Sequence, residues 1–447
     1  MRVGFHPLSG TTTGVVRGTR RMLDDEGMPT TPVVVLLGTL DTKGPEHAFV
    51  RDRLREAGVD VTLVDVGILG APTVEPDVAA HAVARAGGTT IEDLRVAGMA
   101  AGHRAIALEA MARGASSLVD EWRREGRCDG VMGLGGSGGS AIVSAVLRSL
   151  PIGVPKLLVS TMTSGDMRPY VGTRDLTLVH PITDIQGLNR VSRQVLANAA
   201  NAMAGMVRGR ATVRQEDRPL VAISMMGVTT RGAQGIQARL EAASLETIVF
   251  HANGAGGMAM EELIEDGTID GVVDLTTNEL TSELYGGILS AGPSRLTAAG
   301  RRGIPQVVVP GALEVVNFGP RGALPERFAD PGRGIVDHSA SVTSVRTTAA
   351  EAVEIGARFA ERVNVATGPT VVLIPLGGCS KYELPGGPFV DAAADAALFA
   401  AIRAGLRADI PCRDVDANVN DDAFIEAASR TFLELWGQAR PMLERGI

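Results

Sequence analysis

Three short stretches gather the residue types that handle a phosphate. GLGGSGG spans 133–139, after the apolar DGVM and before a helical pattern. Gly133, Gly135 and Gly138 satisfy G-x-G-x-x-G, with Gly136, Ser137 and Gly139 completing the turn. Glycines at a strand-to-helix turn let the backbone approach an anion, and the helix N-terminus offers free N–H groups and a favourable dipole. In GTLDTKG, 38–44, Gly38 and Gly44 free the backbone, Thr39, Thr42 and Lys43 supply donors, and Asp41 supplies a carboxylate. In STMTSGD, 160–166, the hydroxyls of Ser160, Thr161, Thr163 and Ser164 stand beside Gly165 and Asp166. Hydroxyls next to a carboxylate suit phosphate oxygens and hydrated magnesium. Asp41 and Asp166 are therefore candidate magnesium ligands, and Lys43 is a candidate catalytic cation.

Each stretch also has a plain structural reading: a βα turn, glycine used for close helix–strand packing, a solvated loop with an N-cap. The lysine of GTLDTKG precedes the second glycine, a departure from a Walker loop. A dinucleotide fold should hold a ribose with an acidic residue about 20 residues beyond its glycines, and residues 139–165 contain none. The glycine loop keeps its phosphate reading and loses much of its NAD reading. Three loops of this character in one domain weigh against coincidence.

The second half repeats the theme more faintly. HANGAGGMAMEE carries Gly254, Gly256 and Ala259 in a G-x-G-x-x-A pattern, with His251 before it and Glu261 and Glu262 after. DLTTNELTSELYGG adds Asp274, Thr276, Thr277, Asn278, Glu279 and Glu283. PGALEVVNFGP adds Glu314 and Asn317, and DHSASVTSVRTT adds Asp337, His338, Arg346 and Thr347. From these, His251, Glu279, His338 and Arg346 are the candidate catalytic residues. A lone histidine at a strand end is more often simply hydrogen-bonded. Cys379 follows an LGG at a strand end without an evident base, and no Ser–His–Asp order stands out.

The positions of these residues follow from a regular alternation. Short β-branched runs, VVVLLG (33–38), VTLVDVG (61–67), DGVMGLG (129–135), KLLVST (156–161) and DLTLVH (175–180), are separated by helical patterns, among them 45–58 and Gln186–Met206. VRGRATVRQEDRP, 207–219, reads as a linker. The rhythm then restarts with LVAISMMG, TIVFHANG, DGVVDLTT, QVVVPG, TVVLIPLGG and CRDVDA, with helical patterns at 234–243, 257–266, 294–302, 347–363, 391–406 and 421–438. Strands alternating with helices of this length make parallel sheets covered on both faces. The expectation is an α/β protein of two Rossmann-like domains, 32–206 and 220–447, with mainly parallel sheets and a cleft between them. Residues 1–31 read as a poorly ordered extension. In open α/β sheets a ligand sits beyond the carboxyl ends of the strands, where all the polar loops above fall.

Bulk composition narrows the function classes. The 447 residues are 45% hydrophobic, enough for two or three cored domains. Aromatics are 3%, so the cores must be built from small aliphatic residues, which suit helices packed closely on a sheet. A formal net charge of −8 and the lack of a long Lys/Arg run argue against a non-specific nucleic-acid partner. No stretch approaches 18 consecutive apolar residues, which argues against a membrane span. Cys128, Cys379 and Cys412 are scattered and include no C-x-x-C, arguing against a zinc knuckle or a disulfide framework and for a reducing, cytoplasmic setting.

GTLDTKG, GLGGSGG and VSTMTSGDMRPYVGTRDLTLVHPITDIQGLNRVSRQVLANAANAMAGM together resemble the ATP-binding family of the tomato mosaic virus resistance protein. The resemblance covers roughly 32–438 and continues through HANGAGGMAMEELI, VVDLTTNEL, VVVPGALEVVNFGP and RTTAAEAVEIG. It implies two Rossmann-like domains, ATP bound at Gly38–Gly44, Gly133–Gly139 and Ser160–Asp166, and dimers. Two segments depart from the family: DHSAS, where relatives follow the histidine with asparagine-proline, and SKYELPGG, where relatives have an aliphatic residue and an acid. Both lie in the second domain.

Two functions from different classes follow. One is an enzyme using ATP and magnesium for phosphoryl or adenylyl transfer to a small-molecule acceptor. The other is a nucleotide-dependent module that binds a protein partner. An NAD-dependent oxidoreductase ranks third, because it rests on one motif without its acidic partner.

Overall fold

The β-branched runs become strands that are almost wholly inaccessible to solvent. In the computed structural model, which describes residues 31–99, 104–209, 218–330 and 332–443, Val33–Gly38 (β1), Asp60–Asp65 (β2), Gly130–Gly135 (β3), Lys156–Ser160 (β4) and Thr177–Val179 (β5) form a parallel sheet. Its order is β2-β1-β3-β4-β5. Every residue of β3 and β4 is buried, the pattern of strands covered by helices on both faces. Alternate β1 residues serve opposite cores. Val35 and Leu37 pack with the helices Ala80–Ala86, Arg104–Arg124 and Ser137–Ser149, while Val34 and Leu36 pack with Leu40–Glu56 and Arg190–Arg208.

The chain divides into two compact units at 212/213. In the second unit, Leu220–Met225 (β6), Glu246–His251 (β7), Gly271–Thr276 (β8), Gln306–Gly311 (β9), Val315–Phe318 (β10), Ile335–Ser339 (β11), Val342–Arg346 (β12), Thr370–Pro375 (β13) and Cys412–Val415 (β14) follow. Six of them make a second parallel sheet, β14-β13-β9-β8-β6-β7. The fold is thus α/β with two Rossmann-like domains. The remaining three form a small antiparallel sheet, β10-β12-β11, that the strand–helix rhythm does not announce.

Element starts differ from the sequence expectation where backbone chemistry intervenes. The first helix begins at Leu40, not Pro45, but Lys43 breaks it with φ −132° and ψ 28°. Pro45, which lacks an N–H and disfavours a helical residue before it, restarts the regular part. The helix expected from Gln186 begins at Arg190, where Asn189 and Ser192 form a capping box, and it runs on to Arg208. Residues 1–30 of the expected extension and 210–217 of the expected linker lie outside the described residues. Among the described residues no helix is long and apolar enough to cross a membrane.

Two buried devices hold the strand ends. In the first unit, His47 is fully buried under β1, its Nδ1 2.7 Å from the Lys43 carbonyl and its Nε2 3.2 Å from the Leu37 carbonyl. Burial lowers its pKa, against the pull of the two carbonyls. A Cβ at Gly38 would overlap that ring. In the second unit, Arg295 is 1% exposed and binds Asp274 at the end of β8 (2.5 and 2.7 Å), Glu279 (2.5 Å) and Glu261 (3.3 Å). Burial works to discharge Arg295, but Asp274 and Glu279 outweigh it and raise its pKa well above normal.

The same carboxylates satisfy two helix N-termini. Glu279 accepts from the N–H groups of Gly254 (2.7 Å) and Gly257 (3.2 Å), at the start of Ala255–Glu265. Glu261 accepts from Leu296, Thr297 and Ala298, at the start of Ala298–Arg302. The G-x-G-x-x-A turn of the second unit is therefore filled by the chain's own carboxylate. Glu279, a candidate catalytic residue on sequence grounds, is buried here and held by Arg295; burial raises its pKa and Arg295 opposes that shift.

Two predictions follow from these contacts. Arg295→Met should destabilise the protein by about 3–5 kcal/mol in urea unfolding at pH 7, because three buried carboxylates lose their counter-charge. The deficit should shrink toward pH 4, where the unfolded chain also holds those protons; a deficit that does not vary with pH would contradict the network. Gly38→Ala should cost about 1–3 kcal/mol by overpacking. Combined with His47→Ala, which removes the obstructing ring, its cost should fall well below the sum of the single changes; strict additivity would refute the contact.

Candidate functional site

The order β2-β1-β3-β4-β5 reverses between β1 and β3, so the switch point at which open α/β sheets ordinarily take a ligand lies beyond Gly38 and Gly135. All three polar loops meet there. A Cβ placed at Gly136 would lie 3.8 Å from Thr161 Oγ1, and one at Gly139 would lie 3.9 Å from Thr39 Oγ1. The β3 loop is thus flanked by the β1 loop on one side and the β4 loop on the other.

The glycines divide by purpose. A Cβ at Gly133 would sit 2.5 Å from Val143 Cγ1, and one at Gly135 2.8 Å from the Ser140 nitrogen. These two serve helix–strand packing. Gly136, Gly138 and Gly139 are the first turn of Ser137–Ser149, whose N-cap, Gly136, provides no side-chain bond. With Ser137 exposed at the tip, that turn keeps the unpaired N–H groups that every helix start carries. Arg104, from the helix Arg104–Arg124, leans against it: a Cβ at Gly138 would lie 3.2 Å from Arg104 Nη2. Nothing local in the sequence marks Arg104, because only the fold brings it to the glycines.

The surrounding side chains are more heavily engaged than their types suggest. Lys43 Nζ donates to the Ile185 carbonyl, so its charge leans toward the 185–188 segment. Asp41 Oδ2 accepts from Leu69 (2.8 Å) and Gly70 (3.2 Å), bracing the loop after β2, while its Oδ1 is buried without a hydrogen-bond partner. Thr39 and Thr42 share a hydroxyl contact of 3.1 Å. Gly44 lets Thr73 pack against the helix. Ser160 is buried and bonded to Ser140 Oγ at 2.6 Å. Thr163 bonds the Ser160 carbonyl and His180 Nδ1, at 2.7 and 2.8 Å. Ser164 and Gly165 are exposed. Asp166 grips Arg168 two residues on, and that bidentate pair drives its pKa down to about 2. Lys43 and Asp166 thus each have a protein partner of their own.

In the second unit the candidates scatter. His251 is exposed at the end of the edge strand β7. His338 is exposed on β11, 3.5 Å from the Tyr382 hydroxyl. Arg346 is buried at the end of β12, where it binds the Phe389 carbonyl (2.8 Å), Thr347 Oγ1 (3.0 Å), Glu383 Oε1 (3.1 Å) and Asp395. Neither histidine belongs to this Arg346 cluster among the contacts of the described residues. Glu314 and Cys379, which flank Arg346 from the ends of β9 and β13, are both fully buried. Glu383 was not singled out by sequence reasoning, since a glutamate in SKYELPGG looks like a solvated turn.

Known proteins share this organisation. The N-terminal domain of the uncharacterised protein family UPF0261 matches residues 32–212, and the C-terminal domain of that family matches 218–436. A UPF0261 protein of Clostridium tetani is 42% identical over 403 residues, covering 90% of this chain and 98% of the relative. One from Rhizobium meliloti is 38% identical, again over 90% of this chain and 98% of the relative. The tomato ToMV resistance protein Tm-1(GCR237), from Solanum lycopersicum, is 35% identical over 92% of this chain, which spans 56% of that longer protein. With both domains matched in order, the chain belongs to the uncharacterised protein family UPF0261.

Proposed function

We propose that the protein binds ATP, with its phosphates on the first turn of Ser137–Ser149 between the β1 and β4 loops. The observation that carries this reading is a contrast between two glycine-rich helix starts. The one at Gly254–Gly257 is closed by Glu279. The one at Gly136–Gly139 has no side-chain cap, stands at the reversal point of its sheet, and has Arg104 beside it. The family resemblance supports the same ligand.

The donor set fits a phosphate chain well and a tightly held metal poorly. Asp41 offers one unpartnered carboxylate oxygen, and Asp166 is engaged by Arg168. Magnesium would therefore travel with the nucleotide, touching the protein chiefly through Asp41, as magnesium commonly does at phosphate sites. Bound there, it would neutralise charge developing on a transferred phosphoryl or adenylyl group. The protein's part is to orient the phosphates with fixed N–H groups and to hold the adjoining hydroxyls of Thr39 and Thr161 in place.

On this reading the protein is a cytoplasmic, homodimeric enzyme that transfers a phosphoryl or adenylyl group to a small molecule. The likeness to a plant resistance protein favours a second reading, in which ATP controls protein binding without turnover. Nucleotide hydrolysis in the presence of candidate acceptors separates the two.

Gly136→Asp tests the phosphate site directly. Gly136 has φ −80° and ψ −162°, and a Cβ there has room. The new carboxylate should cap the helix and raise stability by a few tenths of a kcal/mol, while occupying the phosphate position and lowering ATP affinity at least about tenfold. Calorimetric titration with magnesium-ATP reads the affinity and thermal unfolding reads the stability. Undiminished ATP affinity in Gly136→Asp would overturn the site; Gly136→Ala controls for the loss of glycine alone.

A further inference from the structure

The second unit contains a cluster that the nucleotide reading does not use. β9 and β13 are neighbours in the parallel sheet, and their carboxyl ends deliver Glu314 on one side and Cys379 and Glu383 on the other. One ligating atom from each of the three lies within 4.8 Å of the other two. Glu314 and Cys379 are 0% exposed and Glu383 is 6% exposed. The arrangement is built into the backbone. Ala312, at φ 57°, turns the chain between β9 and Glu314, and its N–H donates to the Cys379 carbonyl at 2.9 Å. The Cys379 N–H in turn donates to Glu383 Oε2 at 2.6 Å.

A separate observation points to a ligand. Glu314 is completely buried, yet neither of its carboxylate oxygens has a hydrogen-bond partner of good geometry. Burial pushes its pKa up, and the Ser380 hydroxyl opposes that without closing the gap. Buried carboxylates are ordinarily paired or bound to metal. Here the guanidinium of Arg346 lies 3.1 Å from Glu383 Oε1 and is shared with Asp395. With the Arg346 side chain taken up by Glu383 and Asp395, both carboxyl oxygens of Glu314 remain without a partner beside the Cys379 thiol.

We propose that Glu314, Cys379 and Glu383 bind a divalent transition-metal ion of the zinc class. A thiolate with two carboxylates selects a borderline-soft ion over magnesium or calcium. Arg346 orients Glu383 from outside, the arrangement by which outer partners fix a metal ligand. Three protein ligands leave one position of a tetrahedral ion for an exchangeable oxygen or nitrogen donor. This site is independent of ATP binding: either can fail while the other holds.

The test uses the full chain prepared without metal and titrated with Co²⁺ as the probe. A near-ultraviolet thiolate-to-cobalt absorption should grow to one equivalent and vanish when one equivalent of Zn²⁺ is added. Cys379→Ser should abolish the band, while Cys128→Ser and Cys412→Ser should keep it. Glu314→Gln should weaken Co²⁺ binding by more than the roughly tenfold that loss of an outer partner costs. Circular dichroism of the metal-free variants checks that each is folded; if Cys379→Ser is not, timed alkylation of the wild-type chain in partly denaturing urea, with and without Zn²⁺, replaces it, because Cys379 is buried in the native fold, and slower alkylation of Cys379 with Zn²⁺ is the expected result. No saturable band in the wild type, a band that survives Cys379→Ser, or Cys379 alkylated at the same rate with and without Zn²⁺ would overturn the proposal.

Discussion

A helix that follows a parallel strand begins with N–H groups that have no partner of their own, and it begins at the edge of the sheet where ligands meet the fold. Much of this protein's polar architecture answers that constraint. In the second unit the answer is internal: Glu279 and Glu261 supply oxygens to two helix starts, and Arg295 makes the burial of those carboxylates tolerable. In the first unit the helix Arg190–Arg208 is capped by Asn189, while the glycine turn before Ser137–Ser149 has no side-chain cap. The difference between a filled and an unfilled helix start distinguishes a glycine turn that builds the fold from one that can serve a ligand.

The strands were legible because a strand buried on both faces is a continuous apolar run, and VVVLLG, KLLVS and QVVVPG look like nothing else of that length. The antiparallel sheet was not, because β11 and β12 carry Asp337, His338, Thr343 and Ser344 among their apolar residues and read as polar loop. Helix starts differ by several residues: the turn Leu40–Thr42 already precedes Pro45, and the Asn189 cap places the next start at Arg190. The three polar, glycine-bearing loops lie at strand ends that the fold brings together, and their position was legible because motif and topology are both local to a strand end.

The partners of those residues were a different matter. The engagement of Lys43 by the Ile185 carbonyl joins positions 142 residues apart, and no periodicity encodes it. Arg104 beside Gly138 and Arg295 beside Asp274 are likewise products of packing. A residue type announces what chemistry a side chain is able to do; only its neighbours decide whether that capacity is already engaged. Glu279 and Glu314 both stood out as carboxylates near strand ends; Glu279 is held by Arg295, whereas Glu314 is buried with neither carboxyl oxygen hydrogen-bonded.

The break at Lys43 gives the β1 loop a mechanical independence of its own. Because the backbone leaves helical geometry there and Pro45 interrupts the hydrogen-bond ladder, the turn Leu40–Thr42 is not cooperative with the three turns behind it. A rearrangement of Thr39 or Thr42 leaves Val50 and Leu54 seated in the core, whereas one of Asp41 would also release the Leu69 and Gly70 N–H groups that it holds. Movement of the two threonines is therefore cheap in folding free energy, while the position of Asp41 is coupled to the loop after β2.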